Sequence, residues 1–176
     1  MERSLISRYV ATALIALSLL VTSSVFGLTQ QNSNSANKDL PLHQIAKLPG
    51  KVLAEAKTTG TTGNTKLIGY RVEEVTLPRS VSAEVRGQQV AVDRAWRVTV
   101  TGGPFPVRAM PAMIWIDDQL VGLGIENESL SEVTAITFDA SLIADGGVVS
   151  ISYGADKEGR ARLAPKLELK RGGQNQ

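Results

Sequence analysis

The sequence predicts an all-β domain, built as a two-layer antiparallel sandwich of about seven or eight strands. Two observations support this prediction. Beyond Lys66, apolar residues recur at every second position in short runs, which is the period of a half-buried strand. Turn-forming residues separate these runs at intervals of roughly 8–15 residues, and helical periodicity is absent. A chain of 176 residues has room for one such domain with appendages.

The first predicted strands lie between Lys66 and Thr101. Ile68, Tyr70 and Val72 alternate with polar residues, and the pattern then changes phase, which predicts a bulge near Glu73–Glu74. A second run follows at Val81, Ala83 and Val85. The third strand has an apolar face of Val90, Val92, Trp96, Val98 and Val100. Its polar face carries Asp93, Arg97, Thr99 and Thr101, and Arg94 is the exception on the apolar face.

Turn signals delimit the remaining strands. Strands 112–116 and 120–125 form a predicted hairpin around the turn Asp117-Asp118-Gln119. A sixth strand covers Val133–Phe138. The turn Asp145-Gly146-Gly147 introduces a strand at 148–153, and a last strand is predicted near 161–169, where Pro165 indicates an edge or a bulge.

The N-terminus has the three parts of a secretory signal. Arg3 and Arg8 accompany the apolar run Val10–Val21, and Val25-Phe26-Gly27 provides a cleavage pattern. We therefore expect a hydrophobic signal helix in residues 1–27 and an exported protein, located in the periplasm, at the cell surface or outside the cell. The alternative is a retained signal anchor, because Val10–Leu28 is long enough to cross a membrane.

The sequence between the signal and the strands predicts a tether. Residues 28–65 are expected to be a flexible and irregular segment, rich in polar residues at first and interrupted by prolines later. Within it, Lys51–Lys57 fits either a short helix or an edge strand, and Thr58–Thr65 fits a mobile loop. The sandwich is then expected to cover residues 66–170, followed by a disordered tail at 171–176.

A series of features between Trp96 and Gly154 points to a family. The features are a strand running into a Gly-Gly-Pro corner (Val98–Phe105), a hairpin strand (Ile114–Asp118), a strand of alternating Thr and Ile (Thr134–Phe138) and a glycine turn into the next strand (Asp145–Ile151). This order resembles the TIG family of immunoglobulin-like domains, although Arg86-Gly87-Gln88-Gln89 stands where that family usually has a Gly-Gly pair. The resemblance implies a single immunoglobulin-like sandwich that binds or spaces, and it carries over no functional residues.

Composition argues against several classes of function. The formal charge is +2 and the basic residues form no stripe, so we expect no nucleic-acid partner. With no cysteine, thiol catalysis and thiolate zinc sites are excluded. The single histidine, His43, has no evident catalytic partner in the sequence. Asp117-Asp118 and Glu126-Asn127-Glu128 are expected about 20 Å apart, too far to share a calcium ion. We therefore predict a protein that is not an enzyme, with no catalytic residue, cofactor or metal.

The strand at 112–116 is apolar on both faces. Ala112, Ile114 and Ile116 point to one side, and Met113 and Trp115 to the other, whereas a sandwich buries only one face of each sheet. One interpretation is that the Leu40–Lys57 segment, or the loop carrying Phe105 and Met110, covers the second face. The other is that Met110, Met113 and Trp115 form a partner surface, since Met and Trp suit adaptable recognition.

The resulting expectation is a non-catalytic module of the bacterial cell envelope. It would bind a protein or a surface polymer, or act as a structural spacer, with membrane attachment if the signal is retained. A periplasmic carrier of an apolar ligand and an enzyme of unrecognised type are the alternatives. The sequence leaves the oligomeric state open.

Overall fold

The computed structural model describes residues 40–62, 64–106, 110–153 and 159–170. These residues form two antiparallel β-sheets and one short helix, which confirms the predicted all-β, two-sheet class. The expected signal (1–27), the tether up to residue 39 and the tail (171–176) lie outside the described residues. Within the ranges described, no helix is long and apolar enough to span a membrane.

The larger sheet has the strand order β1-β2-β3-β7-β6, and the smaller sheet has the order β5-β4-β8-β9. The elements, in chain order, are α1 (Leu42–Ile45), β1 (Gly50–Thr62), β2 (Thr65–Val85), β3 (Gln88–Gly103), β4 (Ala112–Ile116), β5 (Gln119–Leu123), β6 (Ile125–Glu126), β7 (Glu132–Thr137), a 3-10 turn (Ala140–Leu142), β8 (Val149–Tyr153) and β9 (Ala161–Arg162).

The main core lies between the two sheets. Val98 and Val100 of β3 are fully buried there, so the apolar face predicted for this strand is correct at its C-terminal half. Ile114 and Ile151 face them from the smaller sheet, and Phe105 fills the end of the layer. Burial of these side chains supplies most of the driving force that joins the sheets.

The chain closes both sides of the sandwich. On one side it passes from β5 to β6, and therefore from one sheet to the other, at Gly124. A Cβ at Gly124 would lie 2.3 Å from Val133 Cγ1, so only glycine fits this crossing. On the other side, Leu163 N–H donates to the Val149 carbonyl at 2.8 Å, and Lys170 N–H donates to the Leu53 carbonyl at 2.7 Å. The segment between them therefore bridges the two sheets.

This bridge corrects the last predicted strand. Only Ala161–Arg162 is a strand, because the backbone beyond it bonds first to the smaller sheet and then to the larger one. The Tyr70 hydroxyl donates to the Pro165 carbonyl at 2.9 Å and holds the bridge over the core. Burial raises the pKa of Tyr70, and the nearby Glu168 carboxylate raises it further.

The structure also corrects the expected start of the sandwich at residue 66. Gly50–Thr62 forms β1, an edge strand paired with β2, so the edge-strand alternative for Lys51–Lys57 is the correct one. The mobile loop predicted at Thr58–Thr65 is wrong for most of its length. Thr58 and Thr62 are buried strand residues, and Thr58 Oγ1 accepts a hydrogen bond from the Ala164 N–H.

A register shift does occur near Glu73, but its extra residue is Leu53 of β1, between the pairs Val52–Glu73 and Ala54–Val72; β2 itself stays in register with β3 over Gly69–Thr76. The apolar alternation of β2 changes phase because both faces of the strand are buried. Val72 lies in the main core, and Val75 lies in a second core on the outer face of the sheet. Between β2 and β3, a register shift falls at Ile68. The Ile68 side chain is 55% exposed and does not share the buried face of Val72.

The second core is covered by the segment Leu40–Leu48, which contains α1. Its buried members come from α1, the larger sheet and the β2–β3 hairpin: Ile45, Val75, Leu77, Val81, Ala95 and Ile136. The segment expected to cover β4 therefore covers the outer face of the opposite sheet.

A buried ion pair fastens this segment. Arg97 Nε donates to Glu73 Oε2 at 2.8 Å, and Arg97 Nη2 lies 2.8 Å from the same oxygen. Arg97 Nη1 donates to the carbonyl oxygens of Ala46 and Leu48 at 2.5 and 2.9 Å. One guanidinium thus neutralises a buried carboxylate and satisfies the carbonyls that follow α1.

We predict that Arg97→Met lowers the free energy of unfolding by about 3–5 kcal/mol, because it leaves the buried Glu73 carboxylate without a hydrogen-bonding cation and with only the longer 3.4 Å contact to Arg71. Urea unfolding monitored by circular dichroism measures the change. The matched control is Arg94→Met, which breaks the exposed Arg94–Glu74 pair and should cost no more than about 1 kcal/mol. Equal losses in the two variants would contradict the assigned role of Arg97.

Candidate functional site

The outer face of the smaller sheet carries the residues that the sequence singles out. Met113 and Trp115 of β4 point away from the main core, as predicted from their alternation with Ile114. Cross-strand pairing places Leu123 beside Met113 and Leu120 beside Trp115. The four side chains therefore lie on one face, with the two pairs about 7 Å apart along β4.

A bulge creates this grouping. Leu120 and Leu123 would point to opposite faces of a regular strand, because side chains alternate. The register between β4 and β5 shifts after Ile114, so that Val121 is an extra residue and its side chain enters the main core. Sequence reasoning missed the two leucines because a bulge of this kind leaves no periodic signal.

Trp115 is held from two sides. Its indole Nε1 donates to Ser152 Oγ at 3.0 Å, and the guanidinium of Arg160 lies 3.4 Å from the ring centroid. Arg160 Nη1 also donates to Asp118 Oδ1 at 3.2 Å, and the Arg160 side chain is only 5% exposed. Arg160 is thus the residue that covers the second face of β4 at Trp115, in place of the two segments expected from the sequence.

The structure distributes the three predicted partner residues differently. Met110 precedes β4 and is 53% exposed, Met113 is half-buried, and Trp115 is 8% exposed. Phe105, the other residue of the loop expected to cover this face, lies in the main core. Met113, with Leu120 and Leu123, forms an accessible apolar surface that we call the docking face; Met110 is exposed three residues before Met113. Trp115 lies beneath Arg160.

The outer face of the larger sheet is polar where α1 does not cover it. A basin of about 490 Å³ lies over β1, β2 and β3. Its charged lining consists of Glu55, Lys57, Arg71 and Lys170, and its floor includes Gly69, Thr99 and Thr101. A second groove, of about 650 Å³, lies between α1 and the β6–β7 turn and is lined by His43, Lys47, Glu126, Glu128 and Glu132.

The titratable side chains of these grooves are dispersed. Throughout the described residues, no three His, Asp or Glu side chains are close enough to hold a metal ion. His43 is exposed on α1, and the nearest acidic lining belongs to another element. Both grooves of the larger sheet are lined by polar and charged side chains.

A third depression, of about 540 Å³, lies under the tip of the β2–β3 hairpin. Arg86 and Gly87 form its two-residue turn with positive φ angles of 53° and 77°. From there Arg86 Nε donates to Asp139 Oδ2 at 2.8 Å, and its Nη2 contacts Ser141 Oγ. Hydrogen bonding from Ser141 and then from Arg86 lowers the pKa of Asp139 below its usual value.

Comparisons with protein-family models, with curated proteins and with solved structures find no match to this chain. The geometry of its own residues therefore carries the functional argument.

We predict that Trp115→Ala lowers the melting temperature of the domain, because a buried indole packed under Arg160 contributes about 3–5 kcal/mol to stability. Thermal unfolding followed by circular dichroism measures this, with Leu120→Ala as the control for an exposed neighbour. An unchanged melting temperature would show that Trp115 is not part of the folded core and would restore it to the partner surface.

We predict that the Arg86–Asp139 contact stabilises the fold only while Asp139 is charged. Because folding lowers its pKa, this contribution is fully present above the unfolded value of about 3.9 and is lost as the pH falls through the folded pKa. The measurement is urea unfolding of the wild type and Asp139→Asn between about pH 7 and pH 2. The difference in unfolding free energy should shrink as the solution becomes acidic; a constant difference would contradict the prediction.

Proposed function

We propose that this chain is an exported, non-catalytic β-sandwich module of the bacterial cell envelope that binds a protein partner through its docking face. One observation carries the proposal. Five large apolar side chains of the described residues are exposed, and two of them, Leu120 and Leu123, lie with Met113 on this face. Neighbouring exposed apolar side chains of this kind are typical of a protein interface. On surfaces that bind no partner, exposed apolar residues normally occur singly.

Trp115, the neighbour of Leu120 on the same face of the smaller sheet, is held in a fixed position. The Trp115 indole is fixed by Ser152 and Arg160, and Arg160 is fixed in turn by Asp118. A partner that binds Met113, Leu120 and Leu123 therefore meets a preorganised sheet, so binding need not order the backbone. The flexible thioether of Met113 adds adaptability at the contact.

The remaining parts of the proposal come from the sequence. Arg3, Arg8 and the apolar run Val10–Val21 support export, and retention of Val10–Leu28 would anchor the module in a membrane. The immunoglobulin-like affiliation is part of the proposal. It is supported by the β4–β5 hairpin and by the glycine turn that leads into β8 in a two-sheet fold.

We predict that a photo-crosslinking amino acid at position 123 captures a discrete envelope protein in cells that produce this chain. The same amino acid at position 42 is the matched control, because Leu42 is exposed to a similar degree (47% against 55%) but lies on α1. Adding Leu120→Ser should abolish the adduct while changing stability by no more than about 0.5 kcal/mol, since this side chain is exposed. Adduct mass is read by immunoblotting and mass spectrometry.

Three results would contradict the proposal. The first is an adduct of equal yield from positions 42 and 123, which would indicate random collision. The second is an adduct of two copies of this chain, which would assign the face to self-association. The third is the absence of any protein adduct at position 123.

A further inference from the structure

We propose that the basin on the larger sheet is a binding site for an oxyanion, the carboxylate or phosphate group of an acidic ligand. The site is separate from the docking face, which belongs to the other sheet. The basin is lined by Lys57 of β1, Arg71 of β2 and Lys170 of the C-terminal bridge. The inference does not depend on the proposed protein partner.

The basin carries uncompensated positive charge. Its lining has three cations and one carboxylate, Glu55. Within the described residues, neither Lys57 nor Lys170 forms an ion pair with a carboxylate. A cleft with an excess of one sign attracts ligands of the opposite sign.

Arg71 is the central donor of the proposed site. Among the described residues its carboxylate contact is Glu73 Oε2, an ion pair at 3.4 Å from Nε that is not aligned for a hydrogen bond. The same oxygen lies 2.8 Å from both Nε and Nη2 of Arg97. Because Arg97 already satisfies Glu73, the charge of Arg71 is available to a ligand, and the Arg71 side chain is 40% exposed where it lines the basin. An exposed guanidinium is suited to an oxyanion, because its N–H groups form parallel, charge-assisted hydrogen bonds with two oxygens.

The floor of the basin is suited to a close approach. Cross-strand pairing places Thr99 beside Arg71 and Thr101 beside Gly69, and the hydroxyl of the buried Thr99 shares a 3.1 Å hydrogen bond with Thr134 Oγ1. At Gly69 a Cβ would lie 2.6 Å from the Ala56 carbonyl oxygen, so this position stays without a side chain. The exposed Ile68 and the stem of Lys57 form the rim. Hydroxyls, cations and an open glycine together fit a polar group of small size.

The test is a titration of the purified full-length chain with inorganic phosphate and with sodium acetate, at constant ionic strength. Amide chemical shifts of Gly69, Thr99 and Thr101 report binding. Arg71→Gln should weaken the binding of both anions by about tenfold or more, the loss expected for a charge-assisted hydrogen bond. Arg79→Gln is the control, because it removes the same charge from an exposed residue outside the basin. If Arg71→Gln fails to fold, the double variant Lys57→Gln and Lys170→Gln tests the site instead. It removes two of the three cations and keeps Arg71, so it should also weaken the binding of both anions.

Saturable shifts that Arg71→Gln or the double variant abolishes, and that Arg79→Gln retains, would support the site. Shifts that grow linearly without saturation, or that respond equally to Arg79→Gln, would overturn it. A second arm identifies the source of the oxyanion by comparing polygalacturonate with a polyglycerol phosphate. Tighter binding of the first indicates sugar carboxylates, and tighter binding of the second indicates phosphodiesters. Binding of neither polymer alongside saturable binding of the small anions would assign the basin to a free anion.

Discussion

The outer face of the larger sheet depends on the contact between Arg97 and Glu73. Two hydrogen-bonding nitrogens of Arg97 satisfy one carboxylate oxygen, and the third holds the carbonyls of Ala46 and Leu48. A buried carboxylate without a partner would strongly destabilise the fold, so this pair permits charged residues in the middle of a covered sheet. It also fixes where the cover ends. On one side of the pair the sheet is apolar and lies under Leu40–Leu48, and on the other side it is polar and open.

That division determines what each surface offers. Because Arg97 neutralises Glu73, the neighbouring Arg71 adds a net positive charge to the open half of the sheet, beside Lys57. The smaller sheet follows the opposite scheme: Arg160 covers the indole of Trp115, and the uncovered remainder is apolar. An arginine thus sets the border between covered and accessible surface on each sheet. The two accessible regions differ in chemistry, one cationic and one aliphatic, and lie on opposite layers.

The sequence predicted the class of fold and most strands of its C-terminal half, because alternation and turn residues are local signals. The hairpin at Asp117-Asp118 and the glycine turn before β8 are both present. Features set by distant contacts were not predictable. Because Leu40–Leu48 covers the second face of the larger sheet, β2 is apolar on both sides. Its apolar alternation therefore changes phase, as it would at an extra residue within β2. Likewise, the docking-face leucines meet only because Val121 is displaced into the core, and Arg160 reaches Trp115 from 45 residues further along the chain.

The packing of the main core favours recognition on the outside of the sandwich over a ligand held within it. Phe105, Leu67 and Leu167 are fully buried in the core between the sheets, and the bridge from Leu163 to Lys170 ties those sheets together. An apolar ligand inside would have to displace such side chains, and separating the sheets would break the bridging backbone hydrogen bonds. The outer faces carry no such cost, since their accessible residues already contact water. A carrier of apolar molecules would need the reverse arrangement, with a pliable interior and inert faces.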